Sequence, residues 1–138
     1  MTSFFFFYGT LLDPDVMAPV IERRLPPRQY VAATMPGYAR RGAKGASYPI
    51  VLPDPRGEVA GAVVGGLSTQ DVARLAAFEG PRYRIASRKV RINRAFASVS
   101  VFGPVEERFE PVEGQWHLAA WRRRDKRRFI ERLRRAFF

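Results

Sequence analysis

Five consecutive aromatic residues, Phe4 to Tyr8, lie near the start of the chain, and Gly9 ends the run. A short, unbroken apolar segment that stops at a turn residue is typical of a buried β-strand. We therefore predict a buried strand over 3–8 that ends in a turn. Any fold of this chain has to enclose that strand and change direction directly after it.

The rest of the sequence alternates irregularly between helix and strand patterns. Asp13 followed by Pro14 is typical of a helix start, and Ser68 is a second candidate N-cap. The glycines and prolines of 40–57 predict a long loop, and long loops in compact domains are often functional. The predicted helices cover 14 to about 25, 69–79 and 125–138, and the predicted strands cover 29–38, 58–67, 83–92 and 97–102. This order predicts an α+β fold with a mixed sheet that can roll into a small barrel.

Length and composition limit the classes of protein to consider. The 138 residues, 46% of them hydrophobic, suffice for one core, so we predict a single domain over 1–138. The chain has no cysteine and one histidine, His117, which excludes disulfide scaffolds, cysteine nucleophiles and histidine-rich metal sites. We expect neither a metal nor a cofactor. The apolar start is too short to span a bilayer and lacks a basic leader, so we expect a cytoplasmic protein outside the membrane.

Glu79 stands where the helix pattern requires an apolar residue. The core-facing stripe of the predicted helix consists of Val72, Leu75, Ala76 and position 79. A buried carboxylate without a partner is costly, and the last helical turn lies at the negative end of the helix dipole. Both effects raise a carboxyl pKa toward neutrality, where a general acid–base catalyst works best. The alternatives are an ion pair with Arg82 or Arg84, or an exposed helix end.

The residues around Gly9 form the second candidate site. A glycine at the end of a strand lets the backbone turn sharply and approach a ligand. Successive N–H groups in such a turn can bind an anion. The candidate segment is Tyr8-Gly9-Thr10-Leu11. The alternative is an ordinary strand-to-helix turn.

Two segments about 70 residues apart together resemble the γ-glutamylcyclotransferase-like family. Phe7-Tyr8-Gly9-Thr10-Leu11 is similar to the opening motif of that family. The segment 75–84, in which Glu79-Gly80 precedes Tyr83 and Arg84, is similar to its second motif. Looser similarities, in the order of the family, are Gly37-Tyr38, Tyr48-Pro49, 57–61, Trp116 and Trp121. The resemblance covers most of the chain.

This resemblance implies a compact mixed β-barrel with flanking helices and an intramolecular reaction. The α-amine of the substrate attacks its own γ-carbonyl, which yields 5-oxoproline and releases an amine or amino acid. Glu79 would act as the general acid–base residue, and the backbone from Tyr8 to Leu11 would hold the γ-glutamyl group. Tyr83 and Tyr48 are further candidates for the pocket, with a buried structural role as the alternative for Tyr83. The expected partner is a small γ-glutamyl or other carboxylate-bearing molecule.

The C-terminal segment is strongly basic. The net charge of the chain is +11, and nine basic residues stand against two acidic ones between Arg122 and Arg135. The apolar side of the predicted helix carries Phe129, Ile130, Leu133 and Phe137. We expect this helix to pack on the barrel with a solvated charged face, and the absence of aromatic residues among the arginines disfavours nucleic-acid binding. Two alternatives to an enzyme stay open: a non-catalytic binding relative, and a basic protein that associates with nucleic acid.

Overall fold

The computed structural model describes residues 3–105 and 108–137, the last of these for its backbone only. The strands are β1 (Ser3–Phe7), β2 (Tyr30–Ala43), β3 (Pro49–Leu67), β4 (Tyr83–Ile92), β5 (Ala95–Pro104) and β6 (Pro111–Gln115). The α-helices are α1 (Pro14–Ile21), α2 (Thr69–Glu79), α3 (Leu118–Arg124) and α4 (Lys126–Phe137). Short 3-10 helices occupy Thr10–Leu12 and Pro27–Gln29.

Five of the strands close into a barrel. β3 pairs with β1 on one side and with β2 on the other, and the circuit continues through β4 and β5 back to β1. The β1–β5 pair is parallel, whereas the other described pairs are antiparallel. β6 extends the sheet beside β2. The mixed barrel with flanking helices is therefore confirmed.

β1 is covered on both faces from Phe5 onward, which explains most of its aromatic run, whereas Phe4, predicted to be buried, is 58% exposed. Phe6 and the adjoining Tyr8 belong to a cluster of strand residues that fills the barrel. Phe5 and Phe7 point the other way, into a second cluster that contains apolar residues of the four helices. Because successive side chains of a strand alternate between faces, an unbroken aromatic run suits a strand with cores on both sides.

The stretch 40–57, predicted as a long loop, is instead mostly β-structure. β2 continues to Ala43 and β3 begins at Pro49, so the turn between them is limited to 44–48. The two strands pair without a break from Tyr38 opposite Pro53 to Gly42 opposite Pro49. Pro55 is tolerated because the register shifts just before this pairing, leaving 54–57 as a bulge, whereas Pro53 adjoins the bulge and Pro49 is the first residue of β3.

The C-terminal region holds two helices rather than one. The predicted helix begins at Lys126 instead of 125, and α3 precedes it in a stretch for which no helix was predicted. Phe138 and the side chain of Phe137, which we predicted to be part of this helix, lie outside the described residues. α3 carries the buried Trp121, and α4 carries the buried Leu133. Both helices therefore pack on the barrel. Within the described residues, no helix combines the length and the apolar character needed to cross a membrane.

The buried carboxylate of Asp13 connects the start of α1 to α3 and α4. The Asp13 side chain caps α1 by accepting a hydrogen bond from the backbone N–H of Asp15 at 2.9 Å. It also accepts from Arg122 at 2.8 Å and lies 3.0 Å from the Lys126 ammonium group. Burial by itself would raise the pKa of Asp13, but these donors hold it below its usual range. The cluster therefore anchors α3 and the start of α4 against α1.

Candidate active site

A cavity of about 750 Å³ lies between the first turn, the tip of the β2–β3 hairpin, the end of α2 and one side of α4. The seven residues that the sequence selected all line it: Tyr8, Gly9, Thr10, Leu11, Tyr48, Glu79 and Tyr83. The structure thus brings together segments that are far apart in the chain. A cavity of this volume is within the usual size of small-molecule sites.

The position of Glu79 follows from how α2 begins and ends. Ser68 and Asp71 form a reciprocal capping box at its start, with bonds of 3.0 Å and 2.9 Å. The helix ends at Gly80, whose N–H donates to the Ala76 carbonyl and whose φ and ψ are 77° and −175°. This conformation is essentially restricted to glycine, and it turns the chain directly into β4. Glu79 is therefore held as the last helical residue at the cavity wall.

The Glu79 carboxyl group has no ion-pair or hydrogen-bond partner among the described residues. Arg82, proposed above as an alternative partner, instead donates to the Arg108 carbonyl and to the Tyr48 hydroxyl. Many protein atoms surround the carboxyl group, although the cavity leaves the residue in partial contact with solvent. Burial raises the pKa of Glu79 to about 8, so the group is mostly protonated at neutral pH.

The first turn presents backbone N–H groups to the cavity. The N–H groups of Leu12 and Asp13 are used, since they donate to Gly9 and Thr10 at 3.0 Å each. Those of Gly9, Thr10 and Leu11 have no acceptor in the part of the chain that the structure describes. Unpaired donors beside a cavity can bind an anionic or carbonyl oxygen.

Gly9 is required for a close approach and not for its backbone dihedrals, because its φ is −129°. A Cβ atom at this position would lie 3.0 Å from two atoms of the Pro49 ring. The glycine thus lets the start of β3 pack directly against the first turn, and this contact closes one side of the cavity.

Arg40, which the sequence did not reveal as part of the site, fixes the start of the first turn by hydrogen bonds to backbone carbonyls. Its guanidinium group donates to the carbonyl oxygens of Tyr8 and Ala60, at 2.9 Å each, and to that of Trp116 at 3.2 Å. The indole N–H of Trp116 donates in turn to the Ser47 carbonyl at 2.8 Å, at the hairpin tip. One arginine therefore connects the first turn, β3 and the segment before α3. No local pattern could reveal this, since its partners are carbonyl groups from distant segments.

The three tyrosines of the candidate site hold the cavity wall through their hydroxyl groups. Tyr8 donates to the Phe102 carbonyl at 2.7 Å, and Tyr83 donates to the Pro49 carbonyl at 3.2 Å. Burial, and then the charge of Glu79 among nearby groups, raises the pKa of both Tyr8 and Tyr83. The Tyr48 hydroxyl accepts from Arg82 at 3.4 Å. Neutral tyrosines with these bonds line the cavity and also keep its walls together.

No group of three or more His, Cys, Asp or Glu side chains suited to a metal ion occurs within 3–105 and 108–137. The donors at the cavity are instead backbone amides, tyrosine hydroxyls and a protonated carboxyl group. This set suits a small polar organic molecule with carbonyl or carboxylate oxygens.

Comparisons with known proteins agree with this arrangement. Residues 5–118 match the family described as gamma-glutamyl cyclotransferase, AIG2-like. AIG2-like protein A of Arabidopsis thaliana is 34% identical over 128 residues, which cover 91% of this chain and 76% of the relative. The solution structure of an Arabidopsis thaliana protein has a TM-score of 0.72 at 32% identity, covering 94% of this chain and 87% of that one. A solved gamma-glutamyl cyclotransferase, at 14% identity, has a TM-score of 0.65 over 97% of this chain and 87% of its own, which supports the fold alone.

Proposed function

The chain belongs to the gamma-glutamyl cyclotransferase, AIG2-like family, and on that premise we propose that it cyclises a γ-glutamyl amide to 5-oxoproline. Glu79 is the general acid–base residue of this proposal. The observation that carries it is the placement of an unpartnered carboxyl group and of unpaired N–H groups from Gly9 to Leu11 around one cavity.

The proposed reaction needs one proton carrier and no other reactant. The ionised form of Glu79 takes a proton from the α-ammonium group of the substrate. The freed amine attacks the γ-carbonyl carbon, forming a carbon–nitrogen bond and a tetrahedral oxyanion. This intermediate collapses as the bond to the leaving nitrogen breaks and the protonated Glu79 donates its proton to that nitrogen. The carboxylate so regenerated takes the second proton from the ring nitrogen, which leaves a lactam N–H, and passes it to the released amine, which departs as an ammonium ion. The products, 5-oxoproline and an amine, together contain all the atoms of the substrate.

The raised pKa of Glu79 suits this double role. A carboxyl group of ordinary acidity would be a weak base toward an ammonium group. At about 8, the pKa of Glu79 is several units closer to that of an α-ammonium group than the pKa of an ordinary carboxyl group is. Proton transfer in either direction then costs little, which is the condition for effective general acid–base catalysis.

The N–H groups of the first turn supply the electrostatic part of the proposal. Backbone donors already aimed at a developing oxyanion stabilise the transition state without reorganisation, and each contributes roughly 10²–10³ in rate. Arg40 holds the Tyr8 carbonyl and thus the start of this turn. The cavity in addition brings the two ends of the γ-glutamyl group close, which favours ring closure.

The test compares 5-oxoproline release by the wild type and by Glu79→Gln over a panel of γ-glutamyl amines, amino acids and peptides. We expect Glu79→Gln to lower kcat by roughly 10²–10⁴-fold, because the proton carrier is lost. The wild-type kcat/KM should fall about tenfold per pH unit below the Glu79 pKa of about 8.

Glu113→Gln is the matched control, since Glu113 is exposed on β6 and does not line the cavity. Circular dichroism checks that each variant is folded. Turnover by Glu79→Gln at the wild-type rate would contradict the assigned role of that residue. A folded wild type that forms no 5-oxoproline from any member of the panel would contradict the reaction itself and support a non-catalytic binding protein.

A further inference from the structure

One wall of the cavity comes from outside the part of the chain that matches the family. The match ends at residue 118, whereas α4 begins at Lys126. The residues of this region that line the cavity are Asp125, Arg128, Phe129, Arg132, Leu133 and Ala136. The segment 5–118 therefore supplies Glu79 and the first turn, and α4 supplies the opposite side.

This wall carries two arginines without carboxylate partners. Arg128 and Arg132 are four residues apart, so their side chains extend from the same face of α4, one turn from each other. The hydrogen bond of Arg128 within the described residues is a 3.4 Å contact to the Arg124 carbonyl, and Arg132 forms no ion pair there. Their positive charges thus remain available to a molecule in the cavity.

Three neighbouring basic residues differ from these two in having acidic partners. Arg122 and Lys126 contact Asp13, and Arg127 lies 3.8 Å from Glu131. None of these three basic residues lines the cavity. The basic surface of α4 therefore has one part that serves helix packing and another part that faces the proposed substrate.

We propose that Arg128 and Arg132 bind a carboxylate of the leaving group, so that the preferred substrate is a γ-glutamyl amino acid or peptide and not a γ-glutamyl amine. The inference rests on the function proposed above, because it concerns the leaving group of that reaction. Guanidinium groups bind carboxylates through paired hydrogen bonds of matching geometry. Phe129 and Leu133, on the same wall, provide apolar contact for an amino-acid side chain. Asp125 is the acidic residue of this wall, and its charge is outnumbered by the two arginines.

Two substrates that differ only by the carboxylate test this subsite. γ-Glutamyl-alanine and γ-glutamyl ethylamide have the same leaving-group carbon skeleton except for that group. We expect wild-type kcat/KM to be roughly 10–100-fold higher for γ-glutamyl-alanine, mainly through KM. In the double variant Arg128→Gln/Arg132→Gln this ratio should fall close to one. The double variant Arg128→Lys/Arg132→Lys should give an intermediate ratio, because it keeps the charge and loses the paired geometry.

Arg134→Gln/Arg135→Gln is the matched control, since these arginines are exposed on α4 but do not line the cavity, and it should keep the wild-type ratio. A wild-type ratio near one, or a ratio that the Arg128/Arg132 substitutions leave unchanged, would overturn the subsite while leaving the reaction intact. If the wild type turns over neither these two compounds nor any other member of the panel, the proposed reaction fails, and the same ratio is then measured as binding affinities by calorimetry. A preference for γ-glutamyl-alanine that requires Arg128 and Arg132 would still support the subsite, and equal affinities would reject it.

Discussion

Glu79 and Asp13 are carboxyl groups in protected positions of the same protein, and their ionisation is shifted in opposite directions. Asp13 is the more buried of the two, with 1% of its surface exposed, yet its pKa is lowered. Glu79 retains partial contact with solvent, yet its pKa is raised to about 8. The pKa of Asp71, which is also buried, is lowered like that of Asp13, because its carboxylate accepts hydrogen bonds from Arg23 and from the backbone of Ser68.

The difference shows that several donors together can outweigh the effect of burial on a carboxyl pKa, and that burial prevails where such donors are missing. Asp13 and Asp71 join separate elements, so each is surrounded by donors that favour the ionised form. Glu79 lies beside a cavity without such donors among the described residues, and burial is the main influence on the pKa of its carboxyl group. A chain with 24 basic residues could readily have supplied a partner. Leaving this carboxyl group unpaired costs stability, as is common for groups that serve catalysis.

The largest expected effect is on the stability of Glu79→Gln as the pH changes. Between pH 4.5 and about 8 the carboxylate ionises in the unfolded chain while the folded one stays protonated, so wild-type stability falls as the pH rises. Glutamine is neutral throughout. The variant should match the wild type near pH 4.5 and exceed its unfolding free energy at pH 9 by at most about 5 kcal/mol, less where water in the cavity screens the charge.

Urea unfolding of both proteins at pH 5, 7 and 9 measures this difference. Glu113→Gln again serves as the control, since its carboxyl group is exposed. A stability difference between Glu79→Gln and the wild type that stays constant across this range would mean that the carboxyl group titrates normally in the folded protein.

The next largest effect is a loss of stability on removing Asp13, a carboxylate that, unlike Glu79, has ion-pair partners. Asp13→Ala deletes the N-cap of α1 and the partner of Arg122 and Lys126, and it should cost roughly 2–4 kcal/mol. The cost stays moderate because the Arg122 side chain is 44% exposed and can regain water. Because the pKa of Asp13 is lowered, its contribution should be present at neutral pH and be lost as the pH falls below 4.

Asp15→Asn provides the comparison for Asp13→Ala. Asp15 contacts the same Lys126 and also Arg24, but its side chain is 49% exposed, so its loss should cost less than about 1 kcal/mol. Thermal or urea unfolding of the two variants at pH 7 separates them. Equal losses would show that the buried position of Asp13 adds nothing to its ion pairs.

The parts of the molecule that could be predicted from sequence are those set by neighbouring residues. Asp13-Pro14 and Ser68 begin helices through their own side chains and backbone, and Gly80 ends one through its dihedrals. The aromatic run of β1 shows directly that the strand is buried. These local signals predicted that Glu79 lies at the end of a helix and that the first turn follows the end of a strand. The resemblance of both segments to one family predicted that they form a single site.

The features that could not be predicted depend on contacts between distant segments. The glycines and prolines of 40–57 indicate a loop, but pairing of β2 with β3 over both sides of a bulge keeps most of this stretch in the sheet. β6 is exposed throughout and has no apolar alternation to reveal it. α3 begins at Leu118, and its N-cap residue, His117, forms no side-chain capping bond. Arg40 and the cavity-facing arginines of α4 resemble solvated surface residues until the tertiary structure places them.

The last effect, and the one that bears most directly on the raised pKa of Glu79, comes from Gly80→Ala. Any side chain at position 80 is strained at a φ of 77° and a ψ of −175°, which costs about 1–3 kcal/mol. No atom lies within 4 Å of the added Cβ among the described residues, so the cost is one of backbone conformation and not of packing. Gly103→Ala, which adds a methyl group in similarly open space without a positive φ, is the matched control.

Relaxation of this strain should disorder the last turn of α2 and increase the solvent exposure of the Glu79 carboxyl group. Its pKa should then fall from about 8 toward the ordinary 4.5, which an NMR titration of the side-chain carboxyl resonance measures. The titration distinguishes two causes of the shift. A lower pKa together with lower stability would mean that the turn at Gly80 keeps the carboxyl group away from solvent. An unchanged pKa in a destabilised variant would mean that the cavity walls alone do so, and that the glycine serves only the connection between α2 and β4.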